Sequence, residues 1–445
     1  MTTNAPAITT ETTEQTMNII RHTDPDFREK LASLFRHSSF SPETDASVAA
    51  ILADVKANGD EALVRYAEKF DHIRLEPSQF LVAEEEFAAA EAQVSDEIRQ
   101  AILTAHEHIV SFSSQHLPKE WSYEPRPGVT LGEKYTPIDK VGCYIPGGTA
   151  PLISTVLHTV TMAKVAGCSE ISIVTPPGKD GKVNPAILFA SRVAGATRVY
   201  RLGGVYGVAA LAYGTKSVSP VEKIVGPGNA YVTSAKRQLY GTVALDLVAG
   251  PSEILVLADQ TARPDFIAAD LLSQAEHGSG LEQAVLVTTD ESLLERVASE
   301  LEAQSQRLPR IECIRKVLER GLFLIWVPTL AQAAEIASSY APEHLELITE
   351  NPEALVPSIK AAGAIFLGPW TPEPVGDFVA GPSHVLPTGG SARYFSGLTV
   401  DMFFRRSSLV KYSKEAILAE LPHIVAFAKC EGLDGHGNSA IIRSK

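Results

Sequence analysis

Gln274 and His277 stand three residues apart in the stretch DLLSQAEHGSG. The run before them is apolar at helical spacing and stops at Gly278, which predicts the last turns of a helix. Positions i and i+3 share a helical face, so the amide and the imidazole leave that end in one direction, while Glu276 falls off it. Such a pair suits a metal grip, a substrate grip or an ordinary helix terminus. The spacing leaves all three open.

Of the 12 histidines, most fall in plain surroundings. His106 and His108 lie in a predicted helix, facing solvent or neighbouring helices, and His158 sits in an apolar helix as a satisfied core histidine. Four differ because polar and turn residues surround them: His277 in QAEHGSG, His344 in YAPEHLEL, His384 in GDFVAGPSH and His436 in EGLDGHGNS. Asp377 shares the glycine-rich loop of His384. A zinc site needs three or four N, O or S ligands converging from different elements, and sequence spacing does not say whether these converge. The adjacent Glu343 and His344 precede the short strand LELIT. A histidine with a carboxylate beside it can serve as a base with a second, water-activating group. A surface loop with two polar residues would look the same.

No GxGxxG opens a helix. Three other glycine-rich turns follow predicted strands: YIPGGTAP, LGGVYG and VGPGNAYV. Each could turn backbone N–H groups toward a phosphate at a helix N-terminus, and each is also the turn any strand-to-helix connection requires.

These groups must be positioned by larger elements. Residues from about 26 to 120 read mostly helical, with Gly59-Asp60 as a break. From Lys140, β-rich runs (KVGCYI, EISIVT, TRVYRL, EKIVG) alternate with helical ones, and a second series follows (SEILVLAD, QAVLVTT, GLFLIWV, LELIT, GAIFLG). This alternation predicts parallel sheets covered by helices, an α/β fold of two Rossmann-like units with a cleft between them. Ligands commonly bind in such clefts near the C-terminal ends of strands. Beyond Pro387 a Gly- and Ser-rich passage leads to one helix and a short tail too small for its own core. That tail must pack on the body or on another subunit.

The chain of 445 residues is 45% hydrophobic and 21% charged, with a formal charge of -14 and no long basic run. That balance excludes nucleic acid or an anionic membrane as the main partner. Cys143, Cys168, Cys313 and Cys430 form no CxxC, which suits a reducing compartment and offers no cysteine zinc knot. With no apolar run of membrane-spanning length and no signal peptide, a cytoplasmic protein is expected. The Thr-rich residues 1–16 read as a disordered tail.

Taken in order, VGCYIPGGTAPLISTVL, KIVGPGNAYVTSAKRQ, AGPSEILVLAD, DLLSQAEHG, YAPEHLEL, GDFVAGPSHVLPTGG and EGLDGHGNSAIIR resemble the histidinol dehydrogenase family from about residue 30 to the C-terminus. The resemblance implies two NAD-dependent oxidations of L-histidinol, through an aldehyde held on the enzyme, to L-histidine. It implies one zinc ion per subunit on Gln274, His277, Asp377 and His436, holding the substrate's imidazole and amino nitrogens. Glu343 and His344 become the catalytic pair, with His344 as base for the alcohol and Glu343 as base for the added water. Ser252 and Glu431 join His344 and the four metal ligands as substrate contacts, and Tyr144, Tyr206 and Asn229 become NAD contacts. The implied fold is two incomplete Rossmann-like domains, aldehyde-dehydrogenase-like, with small terminal segments, in an intertwined homodimer. The expected boundaries are an N-terminal segment over 17–37, a first domain from 38–143 and 253–398, a second, NAD-binding domain over 144–252, and a C-terminal segment over 399–445 that crosses to the partner subunit.

Three positions depart from the family's usual residues: Tyr206 replaces a Gln, Ser383 an Asn and Met162 a Pro. Relatives that oxidise other small polyols keep the metal and catalytic residues, so pocket substitutions could signal another diol or amino alcohol. Two further alternatives are a cysteine-dependent aldehyde dehydrogenase using Cys143 or Cys168 and a scaffold with a structural zinc.

Overall fold

The structure, a computed structural model, describes residues 17–35, 41–147 and 151–445. The expected tail 1–16 and the centre of the YIPGGTAP turn lie outside the described residues.

Two parallel sheets organise the chain. The first has five strands, ordered Arg198–Tyr200, Glu170–Val174, Lys140–Tyr144, Lys223–Val225 and Ala244–Leu245. The second has six, ordered Asn18–Arg21, Leu322–Trp326, Gln283–Thr288, Glu253–Ala258, His344–Ile348 and Ala364–Leu367. The central strands are rich in Val, Ile and Leu and buried on both faces, as parallel strands under two helical layers must be. Each unit is therefore α/β, and the alternation in the sequence reports it correctly.

Between these strands the helices carry local start and stop signals. Ser41 caps Pro42–Asn58 by accepting from Thr44 N, with Pro42 in the first turn. Asn184 caps Pro185–Ala194 in the same way. Val48, Leu52 and Val55 of the first of these helices pack with Tyr200, Leu202, Val205 and Leu211, while Ile102 and Ile109 of Asp96–Ser114 join Val141, Cys143 and Ile173. The helices between 42 and 114 therefore cover the five-stranded sheet. The apolar faces of these helices are buried against the helices and strands of 140–245, and burying one such Leu or Ile is worth roughly 1.5–3 kcal/mol.

A third, antiparallel sheet of three strands was not anticipated. It pairs Val129–Pro137 with Trp121–Arg126 on one side and Phe404–Tyr412 on the other. From it emerges the C-terminal helix Lys414–Glu431, capped by Ser413, and the short helix Asp434–Ile441 packs on that one. Phe427, Ile442 and Val410 remain exposed there, as do Trp121 and Tyr123. No helix among the described residues is long and apolar enough to cross a membrane.

Candidate functional site

The six-stranded sheet places its chemistry at the amino ends of two adjacent strands. His344 opens one strand and pairs with Ile254 of the next, beside Glu253. The His344 Nδ1 lies 3.0 Å from the Glu253 carbonyl, to which it donates, and this leaves Nε2 as the free nitrogen. That Nε2 is buried without a hydrogen-bond partner, 3.4 Å from Asp377 Oδ1 and 3.9 Å from Glu373 Oε1. Glu343 lies 3.8 Å from the His344 Nδ1 and accepts a 2.9 Å bond from Glu253 N, and the Ser252 hydroxyl favours its ionised form.

Three helices bring the rest. Pro264–Ala275 returns to the amino ends of the strands, and the chain turns just beyond it at Gly278, whose φ of +99° suits glycine. Gln274 and His277 leave this end together, their side-chain nitrogens 2.7 Å apart, and the fully buried Gln274 Oε1 has no partner. Glu373–Phe378 carries Asp377 and, one turn before it, Glu373, which accepts from Ser273 next to Gln274 at 2.8 Å. The charges of Asp377 and His344 reach His277, so the two halves form one cluster. From the other sheet, helix Ile153–Val156 and its continuation supply Thr155, 3.1 Å from His384 Nε2, and His158, whose ring stacks on His384 at 4.6 Å.

Burial and charge divide the titrating groups. Burial lifts Glu343 to about 7 and Glu373 to about 8, the latter helped by Asp377. At His344 burial disfavours the cation, but Glu343 first, then Asp377 and Glu373, outweigh it and raise the imidazole to about 10. Burial also pushes Asp377 upward, yet His344 and His384 more than compensate and hold it below the usual range. His277 and His384 are made less basic by burial. His158 is buried as expected but not satisfied: neither ring nitrogen finds a partner, and burial drops it to about 3. His106 and His108 do meet neighbours, Thr161 Oγ1 and the Val379 carbonyl.

The candidate residues lie at different strand ends in the two sheets. In the six-stranded sheet the cluster occupies the amino ends, because the helix after each strand returns there with its last turn. In the five-stranded sheet, Tyr144 ends one strand and Asn229 follows the neighbouring one, flanking the point where strand order reverses. Asn229 is exposed and caps Ala230–Leu239 through Tyr231 N and Val232 N. Tyr144 and Tyr206 are instead almost fully buried, and the Tyr206 hydroxyl donates to Asp71. The Asp71 bond satisfies the buried phenol.

Glu431 and His436 are not brought to this cluster within one chain. Both are exposed on the C-terminal helices. Ser383 turns away from the cluster, bonding the His158 carbonyl and Val385 N, and Met162 is core. Cys143 and Cys168 are buried, and burial pushes both thiols to about 12, which removes them as ready nucleophiles.

Sequence reasoning missed Glu373, which with His344 and Asp377 presents three donor atoms within 4.8 Å of one another. Its signal was available: Glu373 and Asp377 are i, i+4 on a short helix. It also missed Asp270 and Glu346, a buried carboxyl pair in which burial raises both groups, Asp270 to about 6.

Fold and site thus define an α/β enzyme with a buried acid–base cluster at the amino ends of one parallel sheet. The family model described as Histidinol dehydrogenase matches residues 35–444. The Bacillus subtilis histidinol dehydrogenase is 48% identical over 404 residues, covering 91% of this chain and 94% of its own. That of Heliobacterium mobile is 46% identical over 396 residues, covering 89% and 92%. A crystal structure of histidinol dehydrogenase from Elizabethkingia anophelis superposes with a TM-score of 0.91 at 38% identity, covering 96% of this chain and 98% of that one. The chain belongs to the histidinol dehydrogenase family, and is an oxidoreductase of histidine biosynthesis.

Proposed function

We propose that the chain converts L-histidinol to L-histidine in two NAD⁺-dependent oxidations, with one Zn²⁺ per subunit orienting the substrate, in a cytoplasmic homodimer whose active sites are shared. The observation that carries the reading is the cluster of Gln274, His277, Glu343, His344 and Asp377 at one end of the six-stranded sheet, with the buried Gln274 Oε1 and the His344 Nε2 both unpartnered. A buried acceptor without a donor, beside an imidazole and a carboxylate, suits a cation. Gln274, His277 and Asp377 would hold the zinc, with His436 from a second copy. That source fits an exposed tail which packs mainly on itself and carries apolar side chains into solvent. When bound, zinc would supply positive charge and positions for the substrate's imidazole and amine, and NAD⁺ would accept hydride.

The residues then divide the work. His344, with Nδ1–H tied to the Glu253 carbonyl, takes the alcohol proton at Nε2 as the first hydride leaves carbon. The aldehyde adds water, and Glu343 takes a proton from that water. The second hydride then leaves the hydrate carbon, giving the carboxylate. Ser252 and Glu431 would position substrate polar groups, and Tyr144, Asn229 and Tyr206 would line the dinucleotide crevice, Tyr206 as a buried wall tied to Asp71 rather than as a hydrogen-bond donor. Steady-state NADH formation from L-histidinol, compared with small 1,2-diols and amino alcohols, tests the assignment. The expected result is two NADH per histidinol and none from the alternatives; no NADH from histidinol would overturn it.

A further inference from the structure

The turn Gly226–Asn229 is held from behind by a buried ion pair. Lys236 and Asp246 are both nearly free of solvent, Nζ to Oδ1 at 2.5 Å. Each partner also grips one of the two peptide units that meet at the Gly226 Cα: Lys236 Nζ donates to the Gly226 carbonyl at 2.8 Å, and Asp246 Oδ2 accepts from Gly226 N at 2.7 Å. The second carboxylate oxygen accepts from Leu247 N at 2.7 Å. Gly226 has φ +114°, and a Cβ there would lie 2.3 Å from the Tyr144 carbonyl oxygen, so its backbone lies flush on the end of the neighbouring strand.

We propose that Lys236 and Asp246 are positioning residues for dinucleotide binding, acting through Gly226 to fix the turn that carries Asn229 against the strand that ends at Tyr144. This inference rests on the assignment of that crevice to NAD⁺. Lys236 lies on the helix that Asn229 caps, and Asp246 on the chain leaving the sheet, so the pair ties both flanks of the turn to its first residue. A buried ion pair is a poor source of net stability, because desolvation offsets the Coulomb gain and an apolar pair of similar volume often does as well. Its distinctive property is direction. Opposite charges on the two peptide units that flank Gly226 set how those units are turned about its Cα in a way apolar side chains do not.

The test uses the zinc-loaded full-length enzyme and two variants, Lys236→Met and the neutral double variant Lys236→Met/Asp246→Asn. The double variant guards against collapse caused by an unpaired buried carboxylate. The expected result is a KM for NAD⁺ raised about tenfold or more, with kcat within about threefold and the KM for histidinol within about twofold of wild type. A lower melting temperature with the KM for NAD⁺ unchanged would mean an ordinary structural pair and overturn the proposal. Hydrogen exchange on the wild-type enzyme does not depend on the variants folding: saturating NAD⁺ is expected to protect the amides of Gly226 and Leu247 together. Protection of neither overturns the proposal. If calorimetry finds no NAD⁺ binding to wild type, the assignment of function itself fails, which separates the two cases.

Discussion

Replacing Glu343 by Gln separates the two oxidations. The amide keeps an oxygen to accept from Glu253 N at 2.9 Å, so the local backbone need not move. What is lost is a base and a negative charge. That charge lies 3.8 Å from the His344 ring. At an effective permittivity of about 20 the attraction is roughly 4 kcal/mol, or about three pKa units at His344. The imidazole, held at about 10 in part by Glu343, would fall toward neutrality, where its uncharged form is populated and can accept the alcohol proton. The first oxidation should therefore survive within about tenfold, while the water-dependent step should slow by about 10²–10⁴, the usual worth of a general base. Rapid-mixing NADH absorbance would give one fast equivalent followed by a stall, with aldehyde captured by semicarbazide. The wild-type second step should also rise with pH through about 7, where Glu343 becomes ionised and able to accept a proton, and the variant should lose that rise. Equal slowing of both steps, or a second NADH at the wild-type rate, would refute the division of labour.

His344→Asn should slow the first oxidation by about 10²–10⁴, seen as loss of the initial NADH burst at saturating histidinol. Chelation should abolish turnover while far-UV circular dichroism stays unchanged, and added Zn²⁺ should restore it; unfolding on metal removal would favour a structural ion instead. His436→Asn should weaken zinc binding and remove activity although it lies on the C-terminal tail, and mixing it with His344→Asn should regain part of the activity in heterodimers. No recovery despite confirmed subunit exchange would count against a shared site.

The strands were legible because buried parallel strands are continuous apolar runs, and Gln274 with His277 because the i, i+3 rule survives folding: the two side chains meet at 2.7 Å. The antiparallel sheet was hidden, since WSYEPR is wholly exposed and contains Pro, and so lacks the apolar run of a buried strand. The strand Asn18–Arg21 was too short to stand out and depends on a partner about 300 residues away. Periodicity also found the helices before residue 120 without saying which sheet they cover, because any apolar stripe can face any apolar layer. Glu373 and Glu346 passed unnoticed because a lone carboxylate reads as surface until packing buries it. The zinc ligands, the NAD contacts and the role of the tail came from the family resemblance rather than from residue spacing.

The two sheets also differ in when they can exist. The strands of the five-stranded one can all pair once residues 140–245 have been made, and Val385, Leu398, Val400 and Phe403 join its core later. The six-stranded one needs Asn18–Arg21, made near the start, to wait for Leu322–Trp326, and it closes only with Ala364–Leu367. At a synthesis rate of roughly 5–20 residues per second, that interval leaves an early strand unpaired for some tens of seconds. The five-stranded sheet can thus pair on the ribosome while the six-stranded one is still open, which leaves nascent-chain chaperones a long time to hold Asn18–Arg21.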